Sequence, residues 1–163
     1  MHLAFLLASM AYIIVSFHIG WALIQDKPIH KSISLGLLLV GMLAHATLLY
    51  PYVVTLYGLN FNLFNVFSLT SLFFLFFYVL FCLYRPILSL GILAAPTALI
   101  GMTIGYIGRA PYQPLTDISV GLEAHILLSL AAYCVLLMAA LQALFLRLQI
   151  RELKHQTIHR FWV

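Results

Sequence analysis

Apolar positions in this chain fall into five long unbroken runs, not into alternating or amphipathic patterns: roughly Leu3–Gln25, Ser32–Leu56, Asn62–Tyr84, Pro86–Ile107 and Ile118–Leu148. Each run reaches the ~20 residues that a helix needs to cross a bilayer. Inside hydrocarbon the backbone must satisfy its own hydrogen bonds, so only helices or a closed barrel can span it. Barrel strands alternate apolar and polar positions, whereas continuous apolar runs select helices. The pattern predicts an all-α fold, a polytopic transmembrane bundle of about five helices, as one domain over residues 1–163. With charged residues at 7% of the chain and a mean hydropathy of +1.09, a water-soluble fold is excluded.

The charges refine this picture by orienting it. Lys27 and Lys31 fall between runs one and two, Arg85 between three and four, and Arg147, Arg151, Lys154 and Arg160 at the end of run five and beyond. Only Arg109 falls in a loop of the other parity. Basic residues collect on the cytoplasmic side, so the N-terminus is expected outside and the C-terminus inside. The +4 net charge is thereby accounted for by topology, and no nucleic-acid partner is expected. Run one is expected to remain as a helix, because it lacks the basic n-region of a signal peptide and is too long for an h-region.

The polar residues left inside the runs are few and specific. His18 lies near the inner end of run one, where an interfacial hydrogen bond would suit it; Ser9, Ser16 and Gly20 make a small-residue side for close packing. His45 shares a face of run two with Gly41, Met42, Leu48, Leu49 and Tyr52, and Pro51 is placed to kink or end that helix. Tyr57-Gly58-Leu59-Asn60 has turn chemistry and predicts a tight outer hairpin. Asn60, Asn62, Asn65, Ser68 and Ser71 then form a polar stripe that should face the bundle, since lipid would not solvate it. The aromatics of run three, Phe73 to Phe81, could wall a flat apolar ligand or simply pack. Gly101 and Gly105 form a small-xxx-small pair and Pro96 can bend run four.

Run five should start near Ile118 or Ser119, with Thr116 or Asp117 as its N-cap. His125 then sits about two turns in, above a groove of Ser129, Ala132, Leu136, Ala139, Ala140 and Ala143. Glu123, two residues away, points elsewhere. Cys82 and Cys134 read as packing residues, with no Cys-x-x-Cys to suggest redox or metal chemistry. No nucleophile–base pair, acid pair or His-Glu-x-x-His is present, so catalysis is not expected.

Two segments resemble a known family. Asn60-Phe-Asn-Leu-Phe-Asn65-Val-Phe-Ser68-Leu69 is similar to the helix start of the haem-handling cytochrome c assembly proteins of the CcsA, ResC and HemX type, and Ala124-His125-Ile-Leu-Leu-Ser129-Leu-Ala-Ala-Tyr133 to their His-containing segment. The match is closest to the shorter YpjD branch, in which His45 also has a counterpart. The resemblance spans runs two to five. It implies a multi-pass protein of the bacterial inner membrane that binds haem in cytochrome c biogenesis, with His125 as an axial ligand to the haem iron and His45 and Asn65 in the cofactor pocket. An imidazole ligand and an apolar aromatic wall suit iron porphyrin, and Arg109 would supply an outer cation for its propionates.

The chain departs from that family in three ways. Ser68 replaces the family's acidic residue after the Asn, the only tryptophans, Trp21 and Trp162, lie outside any outer loop, and the relatives have several more helices. The chain is thus expected to be the N-terminal portion of a longer design, joined by the bilayer, by a second copy or by other assembly subunits, with Gly101, Gly105 and the alanine groove awaiting cover. The rival readings are a membrane scaffold or regulator without haem, in which the histidines only join helices, and a transporter subunit, for which Pro96 is the sole support.

The charge distribution generates a topology test. Reporter fusions after Lys31, Gly58, Arg85, Arg109 and Lys154 should report in, out, in, out, in; two successive fusions on the same side would overturn the orientation.

Overall fold

The computed structural model describes residues 2–25, 27–56, 58–108 and 119–161, with the side chains of 149 and 152–161 excepted. It contains the five expected helices: α1 His2–Ile24, α2 Lys31–Val53, α3 Leu63–Tyr84, α4 Gly91–Ile107 and α5 Val120–Phe161. All five are long and apolar enough to cross a membrane. The protein is a multi-pass membrane bundle.

Each helix ends where local chemistry stops it. Pro51 is accepted near the end of α2, which closes two residues later at Val53. The α2–α3 connection is tighter than a plain turn: β1 Val54–Thr55 and β2 Gly58–Leu59 pair antiparallel, Val54 opposite Leu59 and Thr55 opposite Gly58. Gly58 has φ +119°, in a region that side chains with a Cβ avoid. A Cβ there would also lie 2.5 Å from the Glu123 carboxylate. Asn62 caps α3 by accepting from the Asn65 amide at 2.9 Å. Run four opens as a 3-10 turn, Leu88–Leu90, before α4 begins. The expected caps of α5, Thr116 and Asp117, lie outside the described residues, as does Arg109. Ser119 takes up the cap position, its side chain accepting from the Leu122 amide at 3.3 Å.

Helices α1 to α4 form the packed body. Tyr12, Val15 and Ile19 of α1 are fully buried with Leu38 of α2, Leu75 and Tyr78 of α3 and Ala95 and Ala98 of α4. The packed stripe of α1 is thus Ala8, Tyr12, Val15, Ile19 and Ala22, with Gly20 beside it touching Ile92. Helix α5 is different. It packs on α3 through Leu127, Leu130, Cys134, Met138, Leu141 and Phe145. Only 11% of its apolar stretch is buried, against 28–39% in the other four spans.

One expectation is corrected here. Gly101 and Gly105 do not await an outside partner, because α3 of the same chain covers them. A Cβ at Gly101 would collide with the Ser71 side chain, and one at Gly105 would lie 2.6 Å from Ser68 Cβ. The small residues let the α3 and α4 backbones approach until Ser68 and Ser71 fill the gap. Replacing Gly101 with Leu should lower the thermal unfolding temperature in detergent, with an overpacking cost of about 1–3 kcal/mol. Gly36, which has nothing within 4 Å of its would-be Cβ, should accept the same change with little effect.

Candidate functional site

Two clusters of polar residues lie in the half of the bundle that holds the α2–α3 junction. The deeper one centres on His45, fully buried on α2. Its Nδ1 lies 3.3 Å from the Tyr12 hydroxyl of α1, and its Nε2 lies 2.9 Å from Ser68 Oγ of α3. A neutral imidazole has one donor and one acceptor nitrogen, and each hydroxyl can play either part, so both tautomers are satisfied. Three helices are joined by one ring. Gly41, one turn before His45, gives the Tyr12 ring its room, since a Cβ there would lie 2.6 Å from it.

The second place is the α2–α3 junction. Asn65 donates through Nδ2 to the Tyr52 carbonyl at 3.0 Å and the Asn60 carbonyl at 3.1 Å. Asn60 Oδ1 in turn accepts from the Asn62 amide at 3.1 Å. These asparagines replace the water that the ends of α2 and α3 would otherwise need. Glu123 completes the junction from α5, its carboxylate accepting the Leu59 amide at 2.7 Å. Its partner was not legible in the sequence, because Leu59 is 64 residues away and donates through its backbone.

Between the two places is a cavity of about 10 Å³ lined by Tyr52, Asn65, Ser68, Met102 and Tyr106, among others. That is the size of roughly one water molecule. His45 and Asn65 therefore sit in a closed, hydrogen-bonded interior in which a porphyrin has no room. A larger, open groove of about 710 Å³, lined by Phe64, Leu99, Ile100, Thr103, Ile104, Ile107 and Gly108, is almost wholly apolar and touches none of the histidines.

His125 has the opposite environment. It lies on the face of α5 turned away from α3, half a helical turn around from the buried Cys134, and is exposed. It has no hydrogen-bond partner among the described residues. Ala132, Leu136, Ala139 and Ala143 continue the same uncovered face. The structure does not bring His125 and His45 together: one points out from the bundle and the other is locked inside it. Cys82 and Cys134 are free and buried, as packing residues should be. No group of three or more His, Cys, Asp or Glu positioned for a metal ion occurs among the described residues.

Comparison of the chain with family profiles, with curated proteins and with solved structures finds no match.

The His45 bridge can be measured directly. His45→Ala leaves the Tyr12 and Ser68 hydroxyls without partners and opens a small void, so stability in detergent should fall by about 1–2 kcal/mol. Tyr12→Phe should cost less, and in the double variant the two losses should not add. Full additivity in that cycle would show that the ring does not couple α1 to α2.

Proposed function

We propose that this chain is a subunit of a haem-handling membrane assembly of the cytochrome c biogenesis kind, located in a bacterial inner membrane, with His125 as its point of contact with haem iron. The observation that carries this reading is the state of His125. It is an intramembrane imidazole exposed on the uncovered face of α5, with no hydrogen-bond partner among the described residues, about 8 Å along α5 from its outer end. An ionisable side chain at membrane depth is costly and marks a functional site unless a partner absorbs it. The resemblance of residues 60–69 and 124–133 to cytochrome c assembly proteins supports the same assignment. Imidazole supplies an axial ligand, and the surrounding apolar face suits the porphyrin plane.

The fit is partial. The described residues offer one axial imidazole on an open apolar surface and do not enclose a porphyrin. The remaining walls come from a second membrane chain or a second copy docked along the uncovered face of α5. The protein acts in this reading as a binding subunit and not as an enzyme.

The rival reading is a scaffold without haem. It is favoured by the satisfaction of His45 and Asn65, which leaves neither free to touch a cofactor. Purification in mild detergent followed by a visible absorption spectrum separates the two. A Soret band that is lost or strongly shifted in His125→Ala, at unchanged protein level, and little altered in His155→Ala, is the expected result. An absent band after haem supplementation overturns the haem reading and favours the scaffold.

A further inference from the structure

The end of the α1–α2 hairpin that carries Lys27 and Lys31 holds a polar arrangement that neither the core bridge nor His125 explains. His18 of α1 and His30, the residue that precedes α2, lie side by side with ring centroids 6.2 Å apart and planes 26° from parallel. The His18 Nε2 is buried and has no hydrogen-bond partner. Ser34, one turn into α2, is fully buried and its hydroxyl is likewise unpartnered. The antiparallel packing of α1 and α2 sets Gly41 beside Tyr12, and two turns back along α2 and two turns on along α1 this brings Ser34 to the level of His18 and Ile19. Two orphaned buried polar atoms therefore lie at one level, beside a second imidazole. Buried polar groups in native proteins have partners, and such orphans point to a water or an ion.

We propose that His18 and His30 form a two-imidazole site for a divalent transition-metal ion. An ion held by two imidazoles at ~2.0–2.1 Å lies about 3 Å from each ring centre, so rings that share one ion have centroids roughly 5–6 Å apart. The observed 6.2 Å lies just beyond that range, and His30, being exposed, has room to turn its ring toward His18. Neutral imidazole selects copper, zinc or nickel over the hard cations that prefer oxygen. Lys31 does not occupy the site: its Nζ donates to the Leu83 carbonyl at 3.3 Å. Two protein donors leave the other coordination positions to water, which reaches the exposed His30 side. The site is independent of the haem reading, since it uses neither His125 nor the outer half of the bundle.

Copper(II) is the probe, because it stands highest in the affinity order for nitrogen sites. The titration uses the full chain in detergent with His2, His155 and His159 replaced by Gln. The first lies beside the amino terminus, and the other two are four residues apart on α5, a spacing that itself chelates metal. The expected result is one equivalent of bound copper, with an electron paramagnetic resonance spectrum showing two equatorial imidazole nitrogens. His18→Gln and His30→Gln, each checked for unchanged helical content, should each weaken binding at least tenfold. The spectrum of the protein retaining both histidines does not depend on how either variant folds. Absence of stoichiometric binding, fewer than two imidazole nitrogens, or an affinity unchanged in either single variant would overturn the site and leave water as the partner of His18.

Discussion

A polar group inside a bilayer has no water to fall back on, and the architecture of the half of this bundle nearest the α2–α3 junction follows from that constraint. His45 is the clearest instance. Burying an imidazole in hydrocarbon is unfavourable unless both nitrogens find partners, and here the partners come from two other helices, Tyr12 on α1 and Ser68 on α3. The requirement of one ring thus fixes the rotation of three helices about their axes. Apolar side chains alone would fix it less tightly, because lipid tails compete for apolar surface on nearly equal terms. Several other hydroxyls of the spans are satisfied more cheaply, on their own helices: Ser16 on Tyr12 O, Thr70 on Val66 O and Thr103 on Leu99 O, whereas those of Ser9 and Ser34 are buried without a partner.

The serines of α3 show how one residue type serves two constraints. Ser68 gives its hydroxyl to His45, while its Cβ occupies the space opposite Gly105. Ser71 turns its hydroxyl to Ser68 O and fills the space opposite Gly101. A larger residue at either position would push α4 away, and a residue without a hydroxyl at 68 would leave the imidazole short of a partner. The polar stripe of α3 is therefore a packing seam toward α4 and a hydrogen-bonding seam toward α2. Nothing in its composition alone separates the two roles.

The spans and the inward direction of Asn65, Ser68 and Ser71 were legible in the sequence because they follow from one-dimensional quantities: run length, and the penalty for exposing amides and hydroxyls to lipid. The turn at Tyr57-Gly58-Leu59-Asn60 was legible for its glycine, but not as a β-ribbon, since two-residue strands carry no periodic signal. Long-range pairing was not legible at all. Nothing near Glu123 announces the Leu59 amide, and nothing near Gly101 and Gly105 says whether α3 or another molecule covers them. That last question turns on which helix lies next to α4, which is a property of the fold as a whole. The small-residue face of run five posed the same question, and there no neighbour lies among the described residues.

The histidines complete the argument, because they are the same side chain in three degrees of satisfaction. His45 has both nitrogens engaged and behaves as a structural element of the core. His18 sits half-buried beside another imidazole with one nitrogen orphaned. His125 stands free on the one helix that the bundle leaves largely uncovered. Depth in the membrane does not rank them for function; by that measure the deeply buried His45 would come first. What ranks them is the number of ring nitrogens the fold has not already used, since only an unused lone pair can bind iron or another metal. By that criterion, the chemistry proposed for this chain belongs to the two ends of the bundle, and the core between them holds the helices in register.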